Sequence, residues 1–464
     1  MTSPWRDTCF CPGVETTPAY KPPPGVLVYG LEDRLPPGTA ILVGGQHVAA
    51  MIVGTITPPL ILAGTLNLKP EQTAYLISMA LLSSALGTFL QCRRRGPLGS
   101  GLLSVTGTSF AFIAVLAQAG QAGGLALMLG LSCLTAPLQI LLSPFISRLR
   151  HVFTPLVSGV VVLLIGLSLI PAAYFGITTP LHAGSPPWHG LVVGAVVVAI
   201  VVAAQATGRP WARVAGMAFG VVAGLVICAV LGALPPVPPG DGRWITQPRL
   251  LPHGFAFSWA LAPSFAFIYL ISLLEAIGDM TATSQLSGLP AAGPDHWRRL
   301  SAGVLADGLT STLSALFGGF PSATYAQNNG VIQITGVAAR RVGYVMAAIL
   351  LLLGIFPPVA RLISVLPPQV IGALAVLLFG LVAVSGLRLI MASGLGQREA
   401  VIVALSLGVG IGLPTQPGLL VGLPDVVKTF LESSIPAGGL TALLLSALWR
   451  GPHVDLAPAA PASK

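Results

Sequence analysis

Apolar residues gather along this chain in fourteen runs, at 37–56, 71–91, 99–118, 123–146, 153–170, 190–204 and 212–231, then 262–284, 300–317, 324–337, 342–356, 369–390, 400–412 and 438–449. Short connections rich in Pro, Gly and Arg separate them. A helix needs ~20 apolar residues to cross a hydrocarbon core of ~30 Å, so the pattern predicts an all-α integral membrane protein with fourteen transmembrane spans. The Pro- and Gly-rich connection over 235–258 divides the chain near its middle, with seven runs on either side. Duplicating a unit with an odd number of spans places the second copy upside down. Two inverted seven-span repeats are therefore expected, and 423–433 reads as an amphipathic connector.

The third and tenth runs break the pattern, each in the same place within its half. The third opens with Gly-, Ser- and Thr-rich backbone and turns helical only from about Ser109. About ten helical residues then remain, rising ~15 Å, half of the hydrocarbon core. The tenth carries Gln327, Asn328 and Asn329 side by side, followed by Gly330. A continuous lipid-facing helix would not tolerate that triplet, so extended backbone over 323–326 is expected to turn into a short helix there. Such interruptions occur at membrane depth only where protein or a cavity surrounds them. In transporters the free N–H groups of the half-helices face the substrate near the bilayer midplane.

Composition supports the membrane class: 54% of residues are hydrophobic, only 8% are charged, and the mean hydropathy is +0.85. The 55 Gly and 41 Pro suit close helix contacts and broken helices. The net charge of +9 does not indicate nucleic acid, because the basic residues sit in small groups at the ends of apolar runs. With the amino terminus cytosolic, thirteen arginines fall on cytosolic connections (93–95, 148, 150, 209, 213, 298, 299, 340, 341, 388 and 398). Lys69, Arg243, Arg249, Arg361 and Lys428 fall on the other side. This asymmetry follows the positive-inside rule and places both termini in the cytosol of a multi-pass plasma or bacterial inner membrane. Residues 1–36 read as a flexible cytosolic arm without a signal peptide, and 451–464 as a cytosolic tail. Cys9 and Cys11 lack the second half of a zinc site, so neither a metal nor another cofactor is expected.

Ionisable residues inside spans are costly and functional by default. Glu275 and Asp279 lie four apart on one helical face, with Thr283 a further turn along. Asp307 lies in the ninth span, where a structural hydrogen bond and direct contact are both open. His47 lies in the first, open between holding geometry and moving a proton. Apart from Arg213 and Arg388 at span ends, Arg and Lys are absent from the spans, which disfavours an anion carrier needing a fixed cation.

The stretch Gln327-Asn328-Asn329-Gly330-Val331-Ile332-Gln333-Ile334-Thr335-Gly336 resembles the signature of the nucleobase/ascorbate transporter family, in the form of its xanthine and uric acid permeases. Gln46-His47-Val48-Ala49-Ala50-Met51 resembles the family's first-span motif, and 275–284, beginning Glu275-Ala276-Ile277-Gly278-Asp279, its eighth-span motif. The resemblance runs in order from about Pro37 to Trp449. It implies substrate contacts at Glu275, Gln327, Phe110, Ser109 and the backbone near Ala326, supported by Asp279, His47, Asn328, Asp307 and Thr283. An ionised Glu275 would accept from two N–H groups of a purine dione, and the Gln327 carboxamide offers one donor and one acceptor.

Uracil-type relatives carry Glu where this chain has Gln327 and His where it has Asp279, and ascorbate-type relatives carry Pro at the place of Gln327. A purine cargo, xanthine or uric acid, is thereby favoured over uracil or ascorbate. The resemblance further implies proton-coupled uptake in preference to sodium, and a homodimer. It also implies a core domain (37–150 and 259–362) working against a gate domain (151–234 and 363–450). The alternatives are a symporter for uracil or another nucleobase, or an anion transporter or channel of the sulfate-carrier architecture. An enzyme is not expected: no phosphate-binding loop is present, and the carboxylate pair lacks the spacing of a metal-dependent hydrolase.

Overall fold

The computed structural model describes residues 27–449, apart from 95, 147–153, 183, 236, 238–243 and 292. The amino-terminal arm up to residue 26 with Cys9 and Cys11, the tail from residue 450, and Arg95, Arg148, Arg150 and Arg243 lie outside the described residues.

The first half builds α1 (Pro37–Thr65), α2 (Pro70–Cys92), β1 (Thr106–Thr108), α3 (Ile113–Thr135), α4 (Pro137–Leu142), α5 (Pro155–Ile177), α6 (Trp188–Ala206) and α7 (Pro210–Val230). The second half builds α8 (Ala262–Leu286), α9 (Pro294–Leu316), β2 (Ser322–Thr324), α10 (Gln327–Thr335), α11 (Arg340–Ile355) and α12 (Pro357–Ser364). It ends with α13 (Pro368–Ala392), α14 (Gln397–Thr415), α15 (Asp425–Leu431) and α16 (Ser434–Leu448). Pro37, Pro70, Pro155, Pro210, Pro294 and Pro368 each open a helix, where the missing N–H has no intrahelical partner to lose.

Among the described residues eight helices are long and apolar enough to cross a membrane, or up to ten if two bent pairs each count as one span. The bends are 76° between α11 and α12 and 91° between α15 and α16. Other predicted runs appear as shorter or interrupted helices. One of the eight, Phe110–Phe145, is itself broken within α3, where Gly124 adopts φ of 66°, so that residues 113–122 form a half-helix of their own.

The interruptions at both predicted places meet. β1 and β2 pair antiparallel, Thr106 opposite Thr324 and Thr108 opposite Ser322, and the pairing continues through Ser109 N–H to Pro321 O (2.9 Å) and Tyr325 N–H to Val105 O (2.8 Å). Short helices leave this ribbon at opposite ends, through a 3₁₀ turn at Phe110–Phe112 into α3 and directly into α10.

The first helix is nine residues longer than its run suggests, passing through Pro58 and Pro59 to Thr65. A proline strips the partner from the carbonyl four residues back. Pro59 thus frees the carbonyl of Thr55, which accepts instead from the Thr108 hydroxyl at 3.0 Å. Elsewhere small residues let backbones touch, as membrane helices require. In the α5–α13 pair a Cβ on Gly166 would lie 2.5 Å from the backbone nitrogen of Ala383.

Candidate substrate site

The ribbon brings two aromatic rings face to face. Phe110, just after β1, and Tyr325, just after β2, lie nearly parallel, with centroids 6.2 Å apart and planes 10° off. Phe379 of α13 meets Phe110 edge-on at 5.7 Å. The Tyr325 hydroxyl donates to the Thr108 carbonyl at 2.8 Å, tying its ring across the ribbon. At Gly107 a Cβ would lie 2.4 Å from the Tyr325 ring, too close for any side chain. On α1, a Cβ at Gly54 would lie 3.2 Å from the Tyr325 ring and 3.3 Å from Gln327 Nε2, so this glycine sets how closely α1 approaches.

Helix α8 lines the same region. Its Asp279 carboxylate accepts from the Thr324 hydroxyl at 3.3 Å and lies within electrostatic reach of the backbone N–H of Ala326. The α10 N-terminus therefore faces a carboxylate, as its partial positive charge favours. Thr283, one turn on, lies 2.7 Å from Asn329 Oδ1 and fixes α10 from the same face. Glu275, one turn before Asp279, is half-buried, within electrostatic reach of Asp279 and Tyr325. Among the described residues no protein group hydrogen-bonds its carboxylate.

His47 is fully buried on α1. The Asn328 carboxamide donates both to His47 Nδ1 (3.0 Å) and to the His47 carbonyl (3.2 Å). Nδ1 is therefore the unprotonated nitrogen. Gln327 and Ala326, by contrast, are exposed at the start of α10, and the Gln327 amide has no protein partner among the described residues. Ser109 is buried and its hydroxyl is likewise unpartnered. A buried polar group without a partner is costly, so the Ser109 hydroxyl is open to a ligand, as is the exposed Gln327 amide.

Of the sequence-predicted residues, Phe110, Ser109, Ala326, Gln327, Asn328, His47, Thr283, Asp279 and Glu275 surround the ribbon. Asp307 is 1% exposed on α9 and accepts from Gln91 Nε2 at 2.8 Å. Gln91 also donates to the Gly303 carbonyl and accepts from Ser100 N–H. Asp307 thus braces α2, α9 and the loop leading to β1.

Sequence reading gave no role to Tyr325, Thr324, Gly54 or Phe379. A signal existed for two of them: each interrupted segment ends in a hydroxyl residue followed by an aromatic, Ser109-Phe110 and Thr324-Tyr325. Gly54 and Phe379 carry no local signal, because only the packing of α1 and α13 brings them here. Among the described residues no three His, Cys, Asp or Glu side chains cluster as metal donors would.

A polar site built where two interrupted helices meet inside an apolar bundle defines a membrane transporter. The family model described as Permease family (Xan_ur_permease) matches residues 38–419, and the chain belongs to that family, the nucleobase/ascorbate transporters. It is 39% identical over 437 residues to the xanthine permease XanP of Escherichia coli K12, covering 91% of this chain and 94% of the relative. With the xanthine permease XanQ of the same strain it shares 40% over 439 residues, covering 92% and 94%. Among solved structures, the transmembrane domain of the cyanobacterial bicarbonate transporter BicA aligns with a TM-score of 0.53 at 14% identity, covering 90% of this chain and 99% of that one. SLC26A9 aligns with a TM-score of 0.59 at 14% identity, covering 88% and 64%. These likenesses concern the fold.

Proposed function

We propose that this chain is a purine permease, carrying xanthine, uric acid or both into the cell with a proton by alternating access. The observation that carries this reading is an unpartnered carboxylate, Glu275, on the helix that borders a pair of parallel aromatic rings, with the free Gln327 amide at the neighbouring helix start. A purine dione offers two flat faces and an edge of alternating donors and acceptors. Glu275 accepts from its ring N–H groups, Gln327 both donates and accepts, and Phe110 stacks on a face. A flat ring between Phe110 and Tyr325 needs a gap of about 7 Å, two contact distances of ~3.5 Å, and their centroids are only 6.2 Å apart, so the pair opens on loading. Tyr325 is tethered to Thr108, which leaves Phe110 as the ring that moves.

The names of XanP and XanQ support xanthine as cargo. Two carboxylates at the site oppose an anion-carrier reading. Asp279 and Glu275 form the proton-sensitive pair, and His47 with Asn328 holds α10 in place. The fourteen-span inverted repeat, the core of 37–150 and 259–362 moving against the gate of 151–234 and 363–450, the homodimer and the cytosolic termini belong to the same proposal.

Uptake of radiolabelled xanthine, uric acid, guanine and uracil into membrane vesicles, with and without an imposed pH gradient, tests it. Xanthine or uric acid accumulation should rise with an inward proton gradient and fall by at least about tenfold in Glu275→Gln, given the ~1.5–3 kcal/mol of a charged hydrogen bond. Unchanged uptake in that variant would remove the anchor. Accumulation under a sodium gradient alone would remove the coupling ion.

A further inference from the structure

Outside the substrate site, the loop after α2, the segment beyond α4 and the start of α9 enclose a groove of about 540 Å³. Arg94 and Pro97 line it from the first, Pro144 from the second, and Pro294, Trp297 and Arg298 from the third. Its charge is unbalanced. Arg94 is exposed and has no acidic partner among the described residues. Arg298 reaches Asp295 at 3.6 Å, but both side chains are more than three-quarters exposed, so water screens that pair. Behind them Arg299 and Arg340 add two further cations within electrostatic reach, against Asp295 and Glu32. The partial positive charge of the α9 N-terminus, a helix of 23 residues, adds to the same side.

One wall leads away from this basic mouth and is apolar. Leu134, Leu141 and Phe145 are exposed at spacings of seven and four, with Leu138 half-buried between them, and Phe145 directly follows Pro144 of the groove. On a helical segment that spacing is one face. A basic hollow topped by an indole and continued by an apolar stripe matches a ligand with an anionic phosphate at one end and hydrocarbon at the other.

We propose that this groove is a binding site for an anionic phospholipid, whose phosphate lies between Arg94 and Arg298 and whose acyl chain runs along Leu134, Leu141 and Phe145. The apolar stripe is what favours a lipid over free phosphate, which would use the arginines alone.

The test is native mass spectrometry of the full-length protein in detergent, titrated separately with phosphatidylglycerol, phosphatidylcholine and inorganic phosphate. Phosphatidylglycerol should bind more tightly than phosphatidylcholine, and excess phosphate should not displace it. The double variant Arg94→Gln/Arg298→Gln should lose affinity for phosphatidylglycerol roughly tenfold or more. Arg209→Gln/Arg388→Gln, which also removes two exposed arginines, should keep it. Thermal unfolding of both variants checks that they are folded to the same degree. Equal retention in both variants, or equal loss in both, overturns the site. Displacement by phosphate, or undiminished binding in Leu141→Asn, overturns the lipid assignment.

Discussion

His47 and Asn328 show how single side chains hold this site. The Asn328 carboxamide donates both to a ring nitrogen and to the main-chain carbonyl of His47, and both residues are buried. Asn328→Ala leaves His47 Nδ1 buried and unpaired, a cost of ~1–3 kcal/mol, while the His47 carbonyl keeps its partner within α1. A lower melting temperature in detergent, together with weaker xanthine binding, is expected. Asn328→Asp keeps the shape but removes the donor and should fare no better. Gly107 makes a different point. Gly107→Ala puts a methyl group where the Tyr325 ring stands, so the ring must leave its bond to Thr108. Substrate affinity measured by calorimetry should drop more than tenfold, while Gly45→Ala, where nothing lies within 4 Å, should leave it unchanged.

At the scale of elements, the ribbon depends on a carbonyl that a proline released. Thr108→Val removes the hydroxyl that reaches Thr55 and should destabilise the protein by ~1–2 kcal/mol. Pro59→Ala restores an N–H able to take the same carbonyl. In the double variant the loss from Thr108→Val should shrink, a coupling that thermal unfolding of all four proteins measures. The interrupted third and tenth elements were legible because Gly-, Ser- and Thr-rich backbone and the Gln-Asn-Asn triplet cannot continue a lipid-facing helix. The end of α1 was not. Reading Pro58 and Pro59 as a stop assumes that the carbonyls they strip must go unpaired, and a partner 53 residues away along the chain answers one of them.

For the whole molecule, helix pairs are spaced by glycine. Gly166→Leu would push a side chain into the backbone of α13, where even a Cβ comes within 2.5 Å of Ala383 N. Overpacking of ~1–3 kcal/mol or more is expected, read as lower yield and melting temperature. Gly380→Leu on α13, with nothing within 4 Å, should be tolerated. The proposed topology has its own check. Single cysteines introduced at Arg209 and Arg388 should react with an impermeant maleimide only from the cytosolic side, and one at Arg249 only from the opposite side. Reversed labelling would invert the assignment.

The membrane class, the near-total helicity, the two places where helices break and most of the residues around the ribbon were readable in the chain itself. Hydrocarbon imposes strict local rules on length, charge and unpaired backbone, and each leaves its mark within one segment. Folding in three dimensions decided the rest. It paired strands 216 residues apart, set Tyr325 parallel to Phe110, tied Asp307 to Gln91 of α2, and gathered Arg94, Trp297 and Arg298 around one groove. Those outcomes depend on which helices touch and how closely, a property of packed pairs that no single segment carries.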